Sequence, residues 1–220
     1  MTTAIIVAAG SSRRMGFNKL LAPLAGKPVL RRTLGVFQAC SDVDSIIVVA
    51  GETLHADLET WAGDFGKIAQ IIPGGAERHL SVHAGLQALD PACGIVAVHD
   101  GARPLITAEQ ISRCIEAARR QAAVACARPM TETLKRCDAE GRITDSIDRS
   151  NAWIMETPQV FHRELLVRAY DAVIRDGFLV TDEVSAVQHL GESVFVVENT
   201  QPNPKITFPA DIAAAERFVD

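Results

Sequence analysis

The chain of 220 residues is long enough for one α/β domain, and 48% apolar residues can furnish its core. A formal charge of −5 excludes a general nucleic-acid binder, so cations gathered on a loop stand out against an acidic background. The five cysteines are odd in number and form no CxxC, which points to reduced structural thiols and a cytoplasmic setting. No cationic segment leads into an apolar stretch at the start, and no apolar run approaches the ~20 residues that span a bilayer, so neither a secretory signal nor a membrane partner is expected.

Residues 4–7 (AIIV) form a short apolar run that predicts a buried strand. The strand breaks into small and cationic residues, VAAGSSRRMGFNK at 7–19. Gly10 and the two alanines before it let a ligand lie against the backbone. Arg13, Arg14 and Lys19 offer donors for phosphate oxygens, a planar fork from each arginine and a point charge from the lysine. Neither GxxxxGK[ST] nor GxGxxG occurs, so the two commonest nucleotide signatures are absent. Leu30, Leu34 and Phe37 share the face of a predicted helix, with Pro28 near its first turn. Residues 45–50 (SIIVVA) predict a second buried strand, 54–61 a helix, and 67–72 a third strand ending in Pro73-Gly74-Gly75, another small-residue loop. A helix is expected over 77–89, then a fourth strand over 94–98 (GIVAV) that runs into His99-Asp100-Gly101-Ala102-Arg103-Pro104. Thr107 caps a helix over 108–120, and 122–127 is a fifth strand.

Strand and helix thus alternate four times. The alternation predicts βαβ units with right-handed crossovers, hence an α/β fold with a doubly wound, mostly parallel sheet. Ligands of such sheets sit beyond the carboxyl ends of the strands, where the loops at 8–19, 73–76 and 99–104 all fall. The rhythm changes at Pro129. Residues 129–150 are polar, with Glu140-Gly141 as a turn between 131–136 and 142–148, the pattern of a protruding β-hairpin arm. A two-stranded hairpin is marginal alone and needs a surface to pack on, for which a second subunit is a candidate. Residues 153–161 (WIMETPQVF) return to the core as a strand with a Thr-Pro turn. A helix over 164–176 ends at Gly177, Thr181-Asp182-Glu183 caps another over 183–189, and 193–198 is an amphipathic strand. A loop with Lys205 leads to the last helix, 208–218. With no repeat, low-complexity stretch or linker, residues 1–220 read as a single domain with 129–150 as an arm within it.

The first loop, with Ala8, Ala9, Gly10, Arg14, Met15 and Lys19, resembles the opening motif of nucleotidyltransferases that join a sugar or polyol phosphate to a nucleoside triphosphate. Further stretches follow in order: GGAERHLSV at 74–82, HDGARP at 99–104, TLKR at 133–136, DR at 148–149, TPQVF at 157–161, TDE at 181–183 and the lysine of NPKIT at 203–207. The ordered set covers nearly the whole chain and resembles the 2-C-methyl-D-erythritol 4-phosphate cytidylyltransferases of the non-mevalonate isoprenoid pathway. The resemblance implies a Rossmann-like nucleotidyltransferase fold, a homodimer, Mg2+, and cytidylyl transfer from CTP to methylerythritol phosphate with loss of pyrophosphate. It implies that Ala8, Ala9, Gly10, Gly75, Ser81 and Asp100 bind the nucleotide, with Arg14 and Lys19 near the triphosphate. It also implies that Arg103, Thr133, Arg149, Thr181 and Lys205 gather around the polyol phosphate, Thr133 and Arg149 reaching in from a partner's arm. Two positions depart from the family pattern: Asn18 replaces a frequent Pro, and Ala76 replaces a frequent Asp and with it any ribose or base contact that carboxylate would make.

The implied chemistry suits these residue types. A phosphomonoester has a second pKa near ~6 and is largely dianionic at neutral pH, so attack on the α-phosphorus needs no general base. The obstacle is repulsion between anions, which positioning and cations relieve. Arg14, Lys19, Arg149 and Lys205 are accordingly the candidate catalytic residues, and Asp100 the candidate metal ligand. Plainer roles stand beside these. Arg13 reads as a solvated charge or a phosphate helper, His79 and His83 lack a third ligand for a metal, and His99 reads as a packed strand-end residue. Arg103 before Pro104 also admits a structural role, and Asp182-Glu183 reads as a helix cap rather than a metal pair. Two alternatives remain at this stage: a pentitol-phosphate (ribitol 5-phosphate type) cytidylyltransferase, and a catalytically inactive nucleotide-binding module on the same fold.

Overall fold

Residues Thr2–Ala8 form β1, and a seven-stranded sheet is laid down on either side of it. The structure is a computed structural model that describes residues 1–10 and 15–219. Two short paired strands follow, β2 (Pro23–Leu24) and β3 (Lys27–Pro28). Then come α1 (Val29–Ala39), β4 (Ser45–Ala50), α2 (His55–Ala62), β5 (Ile68–Pro73), α3 (Arg78–Gln87), β6 (Ile95–Asp100), α4 (Ala108–Gln121) and β7 (Ala123–Pro129). The arm comprises β8 (Leu134–Cys137) and β9 (Ile143–Ile147). The chain closes with β10 (Trp153–His162), α5 (Arg163–Arg175), α6 (Glu183–His189), β11 (Phe195–Glu198) and α7 (Pro209–Ala215).

The strand order is β11-β7-β10-β6-β1-β4-β5. β1 pairs in parallel with β4 and β6, β4 with β5, and β7 with β11. Only β10 runs antiparallel, to both β6 and β7, with a register break between Met155 and Gln159. The expected mostly parallel sheet is therefore present, with one reversed strand set into it. Because side chains alternate across a strand, Ala4, Ile6 and Ala8 enter the apolar layer shared with Leu30, Leu34 and Phe37 of α1 and Ile111 of α4. Ile5 enters the opposite layer, with Val82 and Leu86 of α3, Tyr170 of α5 and Val187 of α6. Helices thus cover both faces, which is why the central strands read as near-continuous apolar runs.

Helix ends follow their local chemistry. Thr107 Oγ1 accepts from the Gln110 amide at 3.1 Å, a cap worth roughly 1 kcal/mol. Gly177, at φ +63°, ends α5 in the left-handed region, and the Phe178 amide turns back to the Val173 carbonyl at 3.0 Å. Other elements differ from the sequence expectation. The helix expected at 54–61 opens as a 3-10 turn, Glu52–Leu54, before α2. The last helix stops at Ala215 and tightens into a 3-10 turn, Glu216–Phe218. No helix among the described residues is long and apolar enough to cross a membrane.

Candidate functional site

The loops after β1, β5 and β6 do meet beyond the carboxyl edge of the sheet, and the 203–207 segment closes them from one side. They enclose a cavity of about 440 Å3, within the range of small-ligand sites. Its backbone frame is tied strand to strand. The Gly74 amide donates to the Ala50 carbonyl at 3.0 Å, Gly101 to Val7 at 2.9 Å, and Ile206 to Ala102 at 2.8 Å. Gly74 and Gly75 are needed for closeness. A Cβ on Gly74 would lie 2.1 Å from that of Ala9, and one on Gly75 2.5 Å from that of Leu80. Ser81 finishes this wall, its Oγ accepting from the Gly75 amide at 3.1 Å and donating to the Glu77 carbonyl at 3.2 Å.

Eight expected site residues line this cavity: Ala8, Ala9, Gly10, Lys19, Gly75, Ser81, Asp100 and Lys205. Arg13 and Arg14 lie outside the described residues. Thr133, Arg149 and Thr181 do not line it. Thr133 and Arg149 sit on the exposed arm, where the Arg149 guanidinium rests on the Thr131 carbonyl, and Thr181 is exposed just before α6. Arg103 does not line it either. Its guanidinium donates to the Asn203 carbonyl at 2.7 Å and lies 3.7 Å from Asp100, so it braces the floor of the site.

Asp100 is the electrostatic centre. Its carboxylate lies 3.1 Å from Arg78 Nε and 2.8 Å from Lys205 Nζ. Burial alone would raise its pKa. Arg78, then Lys205 and Arg103, outweigh that and hold it well below the usual carboxylate range. Its backbone is fixed by a chain of bonds through two buried neighbours. The Asp100 amide donates to Thr157 Oγ1 at 3.1 Å, and Thr157 Oγ1 lies 3.0 Å from His99 Nδ1. His99 Nε2 lies 3.1 Å from the Arg103 carbonyl, which can only accept, so the proton resides on Nε2 and Nδ1 accepts from Thr157. Burial keeps this imidazole neutral by lowering its pKa to about 4. His99 is thus the packed histidine expected.

Lys19 reaches across to the Ile206 carbonyl at 2.7 Å, which ties the first loop to the segment carrying Lys205. Among the described residues, no group of three or more His, Cys, Asp and Glu is arranged to hold a metal. A magnesium-type cation needs less: one or two carboxylates, with waters and substrate phosphates completing its shell. A carboxylate offers about four lone-pair sites. Arg78 and Lys205 use two of these at Asp100, and Arg103 at 3.7 Å makes no hydrogen bond there, so room remains for such a cation.

Arg78 and Glu183 were not expected at the site. Arg78 lines the cavity and donates to both oxygens of Glu183, at 2.6 and 3.1 Å. The sequence reading of Asp182-Glu183 as a cap divides. Asp182 Oδ1 accepts from the Ser185 amide at 3.0 Å, whereas Glu183 is fully buried on Arg78. Arg78 lay in plain view within GGAERHLSV, and the usable signal was a cation at the first position of a helix, where the dipole disfavours it.

A family model described as 2-C-methyl-D-erythritol 4-phosphate cytidylyltransferase matches residues 2–220. The enzyme of that name from Symbiobacterium thermophilum is 42% identical over 220 residues, covering 99% of this chain and 92% of its own. Its counterpart from Caldanaerobacter subterraneus is 41% identical over 224 residues, covering 99% and 98%. Among solved structures, the 4-diphosphocytidyl-2C-methyl-D-erythritol synthase of Anaerococcus prevotii superposes with a TM-score of 0.88 at 30% identity, covering 99% of this chain and 97% of that one.

Proposed function

Because the chain belongs to the 2-C-methyl-D-erythritol 4-phosphate cytidylyltransferase family, and so is a nucleotidyltransferase of isoprenoid precursor synthesis, we propose the following division of labour among its residues. The reaction joins CTP to 2-C-methyl-D-erythritol 4-phosphate and gives 4-diphosphocytidyl-2-C-methyl-D-erythritol and pyrophosphate. The observation that carries the assignment of roles is the cavity itself, where Arg78 and Lys205 hold one ionised carboxylate at the sheet's carboxyl edge and Lys19 lines the same space. Ala8, Ala9, Gly10, Gly75 and Ser81 form a narrow wall for the base and ribose. Lys19, with Arg14 from the same loop, neutralises the triphosphate, and Lys205 meets the acceptor phosphate. The acceptor dianion then attacks the α-phosphorus unaided by a base, and the cations absorb the charge that builds up on the transferring group. Mg2+, when bound, would be held by Asp100 and phosphate oxygens and would add charge neutralisation at the leaving pyrophosphate.

The acceptor half of the site draws on a second subunit. Leu134 and Ile147 are cross-strand partners on one face of the arm, and Ile147 and Ile143 are 38% and 68% exposed. Such a face supports homodimerisation through 129–150. Thr133 and Arg149 stand off their own protomer's cavity, which supports their service in the partner's. Four of the five free cysteines are buried, in keeping with a reducing, cytoplasmic setting. Pyrophosphate release measured with each of the four nucleoside triphosphates, and with methylerythritol phosphate against ribitol 5-phosphate, tests the reading. Turnover confined to CTP and methylerythritol phosphate is expected. Preference for the pentitol phosphate, or binding of CTP without pyrophosphate release, would overturn it.

A further inference from the structure

Arg78 occupies a position that its helix does not favour. It is the first residue of α3, whose first turn carries no acidic residue, and a cation there faces the positive end of the helix dipole. What holds it lies across the molecule. Both of its terminal nitrogens bond Glu183, and Glu183 has no freedom of its own. Its carboxylate also accepts from Tyr170 OH at 2.9 Å, while its amide and that of Val184 both donate to Gln159 Oε1 at 3.0 Å. A planar guanidinium clamped at two corners has a fixed third edge. That edge, Nε, meets Asp100 Oδ1 at 3.1 Å, and the other Asp100 oxygen holds Lys205 at 2.8 Å. One side chain therefore joins the nucleotide wall at 74–81, the Asp100 loop and the start of α6, next to Thr181.

We infer that Arg78 is a positioning residue for the transfer: clamped by Glu183, it aims the Asp100 carboxylate, and Lys205 through it, and keeps the nucleotide wall in register with the start of α6. The inference rests on the cytidylyltransferase reading above, and goes beyond it by assigning the aim of the reacting groups to a pair clamped on each other. A lysine at 78 keeps the charge but cannot make the two-cornered clamp, and a glutamine at 183 keeps the shape but weakens it.

The test is steady-state pyrophosphate release by Arg78→Lys, Glu183→Gln and the double variant, each with both substrates titrated and at a temperature well below its own unfolding. The kcat of Arg78→Lys should fall by about 10- to 100-fold, with the KM for CTP changing far less. Glu183→Gln should move the same way, and the double variant should lose little more than Arg78→Lys alone, since both changes break one clamp. In Arg78→Ala, millimolar methylguanidinium should restore part of the turnover and propylammonium should not, a distinction a purely structural residue would not produce. Wild-type kcat in both single variants, or losses that multiply in the double variant, overturns the inference. An inactive wild-type protein would instead remove the cytidylyltransferase reading, and this inference with it.

Discussion

A single methyl group placed on Gly74 tests how closely the walls of the nucleotide cavity must approach. Gly74 is absent from the residues with positive φ, so alanine there suffers no backbone strain and its whole effect is steric. The added Cβ would sit 2.1 Å from Ala9 Cβ, whereas ordinary contact begins at 3.4 Å, so the two loops must part by at least about 1.3 Å. Overpacking of this kind costs about 1–3 kcal/mol, which corresponds to roughly 2–12 °C in Tm for a chain of this size. The same displacement moves one wall of the site relative to the groups around Asp100. A misplacement of about 1 Å costs on the order of 100-fold in rate, so kcat/KM for CTP should fall by about that factor. Thermal melts and steady-state kinetics read the two effects. Ala9→Gly in the same chain removes the opposing methyl and should recover most of the stability and part of the rate. Gly66→Ala is the control, since nothing lies within 4 Å of a Cβ there. A Gly74→Ala protein with wild-type kinetics, or one that Ala9→Gly leaves unimproved, would refute the argument from close approach.

Lys19→Ala and Arg14→Ala should each lower turnover by about 10²- to 10³-fold, the scale of losing a dedicated charge-stabilising donor, and near-normal rates would remove either residue from that role. Asp100→Asn should reduce activity and shift the Mg2+ titration to higher concentration, while an unmoved titration would detach Asp100 from the metal. Mixing Arg149→Ala with Lys19→Ala homodimers should restore activity once subunits exchange, because one site of the heterodimer then carries both native residues; exchange without recovery would place Arg149 in its own subunit's site. His99, with a folded pKa of about 4 against an ordinary 6.5, binds its proton more readily when unfolded, so stability is untouched above pH 6.5 and lost as pH falls from there toward 4. Denaturant titrations should show that loss at about 1.4 kcal/mol per pH unit, about 3 kcal/mol in all, and His99→Gln should flatten the slope.

The sheet was legible because its central strands are covered on both sides. Runs such as SIIVVA have no polar face to confuse them, and Thr107 marks its helix start by a bond within three residues. The two-residue strands β2 and β3 have no room to show a period, so nothing marked them. The reversed direction of β10 was hidden too, since an apolar strand reads alike in either direction. At the site, short loops with small residues and cations announced themselves, as did Asp100 and Lys205. The clamp of Arg78 on Glu183 did not, because 105 positions separate its members and no local pattern joins them. Gly74 was visible as a small residue, but the methyl of Ala9 that makes it obligatory is supplied only by folding.

The one reversed strand has a consequence for how the protein is assembled. β7 leaves the sheet at its carboxyl edge and β10 enters at that same edge, with Pro129 opposite Trp153 and the Met130 amide on the Ala152 carbonyl at 2.9 Å. The arm is thus an excursion from a hairpin whose two legs are already fastened. Its length can drift over generations without disturbing the sheet, since doubling a loop adds only about 0.6 kcal/mol of closure entropy. Inheritance can therefore tune the length and reach of the arm separately from the fold of the sheet that carries it.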